Sequence, residues 1–162
     1  MNKTIVALAL SGIMAGAANA QVMAAADGYR VCAPAATQQG ITVASEACGT
    51  LKTPDFANLT IASEAELKTH EATREAFRTD VAAYGQCITQ LINSYRRPGA
   101  PADSTVPDQA ACAHSWAQDQ ATQAVREYGK ACIEYSNRSM MDAALTPYDG
   151  ACYPTANESA RG

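Results

Sequence analysis

Apolar positions recur with a helical period through the middle of this chain. Phe77, Val81, Tyr84, Ile88, Leu91 and Tyr95 follow one another in steps of 4, 3, 4, 3 and 4 residues, with Leu67 upstream. That spacing draws a narrow seam along one side of a helix, suited to packing against a second helix. Ser63-Glu64-Ala65-Glu66 fits a capping box at its start, where hydroxyl and carboxylate satisfy orphan backbone N–H groups. Glu64 and Lys68 stand at i,i+4 in the favourable order. Arg96 and Arg97 suit the negative end of the helix dipole, and Pro98-Gly99-Ala100-Pro101 stops the element. A helix is expected over about residues 63–97.

A second stripe reads Ala110, Ala113, Ala117, Ala121, Ala124, Tyr128, Cys132 and Tyr135, with Cys112 and Trp116 on a shorter one. Pro107 is tolerable in a first turn, where its missing N–H would be unpaired anyway. This predicts a helix over about 104–142. Each helix has roughly 34–38 residues and is about 50–57 Å long at the usual rise. The short loop between them forces antiparallel neighbours. The expected fold is all-α: a long antiparallel helical hairpin, residues 63–142, with a mostly irregular N-terminal arm and C-terminal tail, stapled by disulfides.

Two helices alone bury little, so the arm (21–62) and tail (143–162) must cover the remaining faces. In the arm, Tyr29-Arg30-Val31-Cys32 and Ile41-Thr42-Val43-Ala44 flank Gln38-Gln39-Gly40, a pattern that allows a small β-hairpin or extended chain. Thr53-Pro54-Asp55-Phe56 resembles a cap with Pro at the first helical position, opening one short turn. Pro147, Gly150 and Pro154 make the tail irregular. A weak internal echo links Tyr84-Gly85-Gln86-Cys87 with Tyr128-Gly129-Lys130-Ala131-Cys132. A mid-helix Gly costs about 1 kcal/mol against Ala, so each of these glycines implies a close neighbour. In the hairpin register Trp116 is level with Gly85 and is expected to fill that space.

The first 20 residues change the setting. Lys3, the apolar run Ile5 to Leu10 and the closing Ala18-Asn19-Ala20 read as a cleavable export signal, with Gln21 as mature N-terminus. The apolar stretch is shorter than the roughly 20 residues a spanning helix needs, and no second one follows. A soluble, single-domain mature protein (21–162) in an oxidising compartment, periplasmic or secreted and bacterial in character, is the expectation. Losing Lys3 takes the net charge from −4 to −5. No basic excess points to nucleic acid.

Six cysteines then read as three disulfides. At roughly 4 per cent of the mature chain they reinforce a core and do not replace one. Fifteen connectivities are possible. Cys87 and Cys112 lie ten and eight residues below the hairpin tip. Their heights differ by about 3 Å, which makes Cys87–Cys112 the first expected pair. Cys132 has no cysteine level with it on the other helix. Cys132–Cys152 and Cys32–Cys48 are expected, the alternative being Cys132 joined to Cys48 or Cys32.

Candidate chemistry is sparse. There is no C-x-x-C, C-x-x-C-H, P-loop, G-x-G-x-x-G or G-x-S-x-G. His70 and His114 fall on different helices, and His70-Glu71-Ala72-Thr73-Arg74 ends in Arg where H-E-x-x-H needs a second His. Glu64, Glu66, Glu71 and Glu75, interspersed with Lys68, Arg74 and Arg78, read as a solvated face. Asn58, Asn137 and Asn157 open N-x-[ST] triplets, which matter only in a eukaryotic secretory pathway. No catalytic residue, cofactor or metal ligand is nominated. Tyr84, Tyr95, Trp116, Tyr128 and Tyr135 are either core or the lining of an aromatic groove, to which Met140-Met141 adds an adaptable contact. The expected function is that of a non-enzymatic binding or structural protein of the bacterial envelope with a protein partner. The alternative is a binder of a small apolar ligand between helices.

Overall fold

The structure is a computed structural model that describes residues 32–101 and 104–154. The export signal, Tyr29 to Val31 and the Asn157 triplet lie outside the described residues. The described chain is all-α: α1 (Pro34–Cys48), α2 (Glu64–Ser94) and α3 (Val106–Met141), with no strand among the described residues. The long helices α2 and α3 form the expected hairpin. Ser63 Oγ accepts from Glu66 N at 3.2 Å, while Glu66 Oε2 reaches back to Ala62 N at 2.8 Å, one residue before the usual capping-box partner. α2 ends three residues short of Arg97. Its last turn tightens, with Tyr95 N bonding Ile92 O and Arg96 N bonding Asn93 O, both at 3.2 Å.

The seam is buried from Leu67 to Ile88, while Leu91 and Tyr95, the latter just past the end of α2, are half-buried near the tip. Leu67, Phe77, Val81, Tyr84 and Ile88 of α2 meet Ala110, Ala113, Ala117, Ala124, Tyr128 and Tyr135 of α3 in one core.

The arm departs from expectation. Residues 34–48 form a helix, not an irregular or hairpin segment. Pro34 sits in its first turn, and Gly49 follows its end at φ 84°. Proline inside the start and glycine beyond the end are the usual helix punctuation. The β-branched run Ile41-Thr42-Val43 does not decide the matter, because Ala36, Gly40, Ala44 and Cys48 form an i,i+4 stripe of small residues. That stripe brings α1 onto the α2–α3 pair. A Cβ on Gly40 would stand 2.1 Å from the Gln109 carbonyl oxygen, so only glycine permits this approach.

The helix in the arm corrects two of the three expected disulfides. The bonds are Cys32–Cys112, Cys48–Cys87 and Cys132–Cys152. Cys32–Cys48 cannot form, because Pro34 and Cys48 stand about 21 Å apart along α1. The two residues before the helix cannot recover that distance to the 7 Å limit for a disulfide. Cys87–Cys112 does not form either. Equal height along two helices fixes the level but not the direction of a side chain, and both cysteines face α1. Cys112 holds the start of α1 and Cys87 its end.

The other two segments cover the basal half of the hairpin. In the loop between α1 and α2, Phe56 and Ile61 are buried. Phe56 meets His70 edge-on at 5.9 Å and Tyr128 at 6.2 Å. Arg138 of α3 donates to the Ile61 carbonyl, tying this loop to the end of the hairpin. The tail, residues 142–154, has no regular structure beyond turns and bends and returns along α3 to Cys132.

Candidate functional site

The feature with the most concentrated chemistry is a groove between α2 and α3 at the base, occupied by the tail. It is built around Arg74, which is 3% exposed. Arg74 stands in the seam between Leu67 and Phe77, so the packing of α2 against α3 carries it inward. Its Nε donates to Glu75 Oε1 at 2.8 Å, and its Nη2 lies 2.7 Å from the same oxygen and 3.6 Å from Glu71 Oε1. The guanidinium stacks over the Tyr128 ring at 4.4 Å from the centroid. Such a cation–π contact gains strength where both groups are desolvated. Glu75 also accepts from Arg78 Nη1 at 2.9 Å.

The tail completes the arrangement. Arg74 Nη1 donates to the Cys152 carbonyl at 3.2 Å. Tyr148 Oη donates to Glu71 Oε2 at 3.2 Å, and Tyr135 Oη to the Thr146 carbonyl at 2.7 Å. Tyr153 lies over Gly129, where a Cβ would come within 2.5 Å of its ring. Burial pushes the Tyr128 phenol well up, and the Glu71 charge adds to this against the opposing Arg74 charge. Tyr148 is raised by burial first and by Glu71 second. Tyr84 is raised by burial. Ser45 lies close to the Tyr84 hydroxyl and Tyr148 to that of Tyr128, but neither contact meets hydrogen-bond geometry.

Of the five residues named for an aromatic groove, Tyr84, Tyr128 and Tyr135 are core, exposed by 5%, 0% and 0%. They fill the seam and leave no open aromatic channel there. Tyr95 and Trp116 are half-buried. Trp116 does not fill the space at Gly85. The His114 ring does, its Nε2 2.8 Å from where a Cβ would stand. His114 also pairs with Gln118 at 3.3 Å, and His70 stays with Phe56, so the two imidazoles serve separate contacts. The glycine echo is thus explained at both sites: each glycine admits a ring from another part of the chain. Met140 and Met141 are 73% and 90% exposed.

The charge pattern alone reads Arg74 and Glu71 as part of a solvated face and gives Tyr148 no special place. The signal for Arg74 was present. It stands seven residues after Leu67 and three before Phe77, at the gap in the apolar seam. Surface recesses among the described residues include one of about 410 Å³ beside Ile61 and Arg138 and one of about 370 Å³ beside Cys48 and Tyr84. Among the described residues no group of three or more His, Cys, Asp or Glu is placed to hold a metal ion. No described helix is long and apolar enough to cross a membrane. No protein-family model, curated protein or solved structure matches the chain.

Proposed function

We propose that the protein is an exported, disulfide-stabilised helical protein of the bacterial envelope that acts by binding a protein partner or as a structural element, without catalysis. The observation that supports this reading is the way three disulfides tie α1, the hairpin and the tail into one cross-linked body. Bonds of this kind persist in oxidising compartments outside the cytosol. The residues Met1 to Ala20 supply the route there. The most polar cluster, around Arg74, is saturated by contacts within the chain and serves to hold the tail.

Fractionation of a native host, with N-terminal sequencing of the exported form, tests the first half. The expected result is a chain beginning at Gln21 outside the cytosol with no free thiol. A cytosolic, reduced chain beginning at Met1 overturns it. Crosslinking in intact cells followed by purification tests the second half, and the expected result is one envelope protein enriched over a control bait. Substitution of both His70 and His114 is expected to leave the phenotype intact.

A further inference from the structure

The tail sits in its groove as a docked peptide sits on a receptor. Among the described residues its internal hydrogen bonds lie in the turn at its start, where Leu145 N bonds Asp142 O at 3.0 Å and Ala144 N bonds Asp142 Oδ1 at 2.9 Å. Beyond that turn the Tyr148 ring lies over Gly150 within the tail, and the tail's hydrogen bonds run to the body. Leu145, Tyr148 and Cys152 pack on the core. Arg74 and Tyr135 take backbone carbonyls of the tail, and Glu71 takes the Tyr148 hydroxyl. One covalent bond, Cys132–Cys152, closes the arrangement, and it spans only 20 residues. The other two bonds join α1 to the hairpin and do not involve the tail.

We infer that this groove is a docking site for the same segment, residues 142–154, of a second copy of the chain, so that two copies exchange tails when the Cys132–Cys152 bond opens. A contact set made by a ligand-like segment is equally satisfied by an identical segment from another molecule, and only the hinge must change conformation. Here the hinge is the turn at Asp142–Leu145. It lies immediately past the end of α3 and carries two of the tail's hydrogen bonds. The occupant is defined by the groove's present content: a leucine, a tyrosine hydroxyl for Glu71, two carbonyls for Arg74 and Tyr135, and a cysteine for Cys132. This inference does not rest on the export reading.

The redox step balances. A dithiol such as dithiothreitol gives two electrons and two protons to the Cys132–Cys152 bond, leaving two thiols and its own cyclic disulfide. Oxidised glutathione then takes up two electrons and two protons, releasing two glutathione thiols. Sγ of Cys132 in one copy thereby joins Sγ of Cys152 in another. The tethered tail competes as an intramolecular ligand at an effective concentration on the order of millimolar, so exchange grows with protein concentration.

The test uses the wild-type chain. Equal amounts of ¹⁴N- and ¹⁵N-labelled protein are mildly reduced, mixed and reoxidised at micromolar and at millimolar concentration, and disulfide-linked peptides are read by mass spectrometry. The expected result is an isotope-mixed Cys132–Cys152 peptide whose share rises about tenfold or more across that range. It should exceed any mixed Cys48–Cys152 peptide, the measure of random scrambling. A second arm mixes Cys132→Ser with Cys152→Ser, which can join these two positions only between molecules, and the expected product is the heterodimer. Mixed Cys132–Cys152 peptide at the scrambling level at both concentrations, with no heterodimer, overturns the inference.

Discussion

Arg74 shows how one side chain can organise an otherwise apolar seam. Its charge is neutralised by two glutamates whose side chains remain 32% and 45% exposed. Removing the cation therefore leaves carboxylates that water still reaches. Arg74→Ala is expected to cost about 1–3 kcal/mol, below the 3–5 typical of a broken, fully buried pair. Urea denaturation measures it, and accelerated amide exchange in the tail should accompany the loss. The tyrosines give a pH dependence at the same scale. Tyr84, Tyr128 and Tyr148 have folded pKa values raised above those of the unfolded chain. The folded state then binds more protons than the unfolded state above the ordinary tyrosine pKa of about 10. Their contribution is fully present below that pH and is lost as pH rises further. Alkaline titration should show a late tyrosinate fraction that ionises together with unfolding, and ionisation of every tyrosine at the ordinary pKa with the fold intact contradicts this.

At the scale of elements, the glycines on the helices separate two kinds of close approach. At Gly40 an added Cβ meets the Gln109 carbonyl and the Ala113 amide, backbone atoms of another helix. At Gly129 it meets the end of the Tyr153 ring, on a tail residue that is 46% exposed and free to swing away. Gly40→Ala is expected to cost about 1–3 kcal/mol or more through overpacking. Gly129→Ala should be near neutral, because the helix gains about 1 kcal/mol of propensity while the tail loses one contact. Thermal melts of the two variants decide this, and equal losses would show that helix spacing is softer than the contact implies. At the start of α2, Ser63→Ala removes the hydroxyl that accepts from Glu66 N and should cost about 1 kcal/mol.

For the whole molecule the disulfides set the order of stability. The bonds close sequence separations of 80, 39 and 20 residues for Cys32–Cys112, Cys48–Cys87 and Cys132–Cys152. Because the Cys48–Cys87 loop is nested inside the Cys32–Cys112 loop, removing either bond with the other intact opens a loop of about 40 residues, so chain entropy alone ranks the removals at about 3.9, 3.9 and 3.3 kcal/mol. Paired Cys→Ser variants, compared by denaturation midpoint, should follow that order, with the first two alike. An inverted order would mean that unfolded-state structure or local packing outweighs loop closure. The rank also fits the architecture, since the two larger loops hold α1 onto the hairpin and the smallest holds only the tail.

The hairpin, its seam and the capping serine were legible in the residues, because each follows from local periodicity; the Cys132–Cys152 bond was favoured there, with Cys48 and Cys32 left open as partners of Cys132. α1 was not legible in the same way: Pro34 and Gly49 punctuate it, but its small-residue stripe carries a weak apolar signal and the β-branched run masked it. The remaining disulfides and the inward turn of Arg74 were decided by tertiary structure. Helical period gives the level of a side chain along an axis. The direction it faces acquires meaning only when a third element arrives to meet it. Here α1 claimed Cys87 and Cys112 from opposite ends, and the returning tail enclosed Arg74, the cation that the seam had drawn inside.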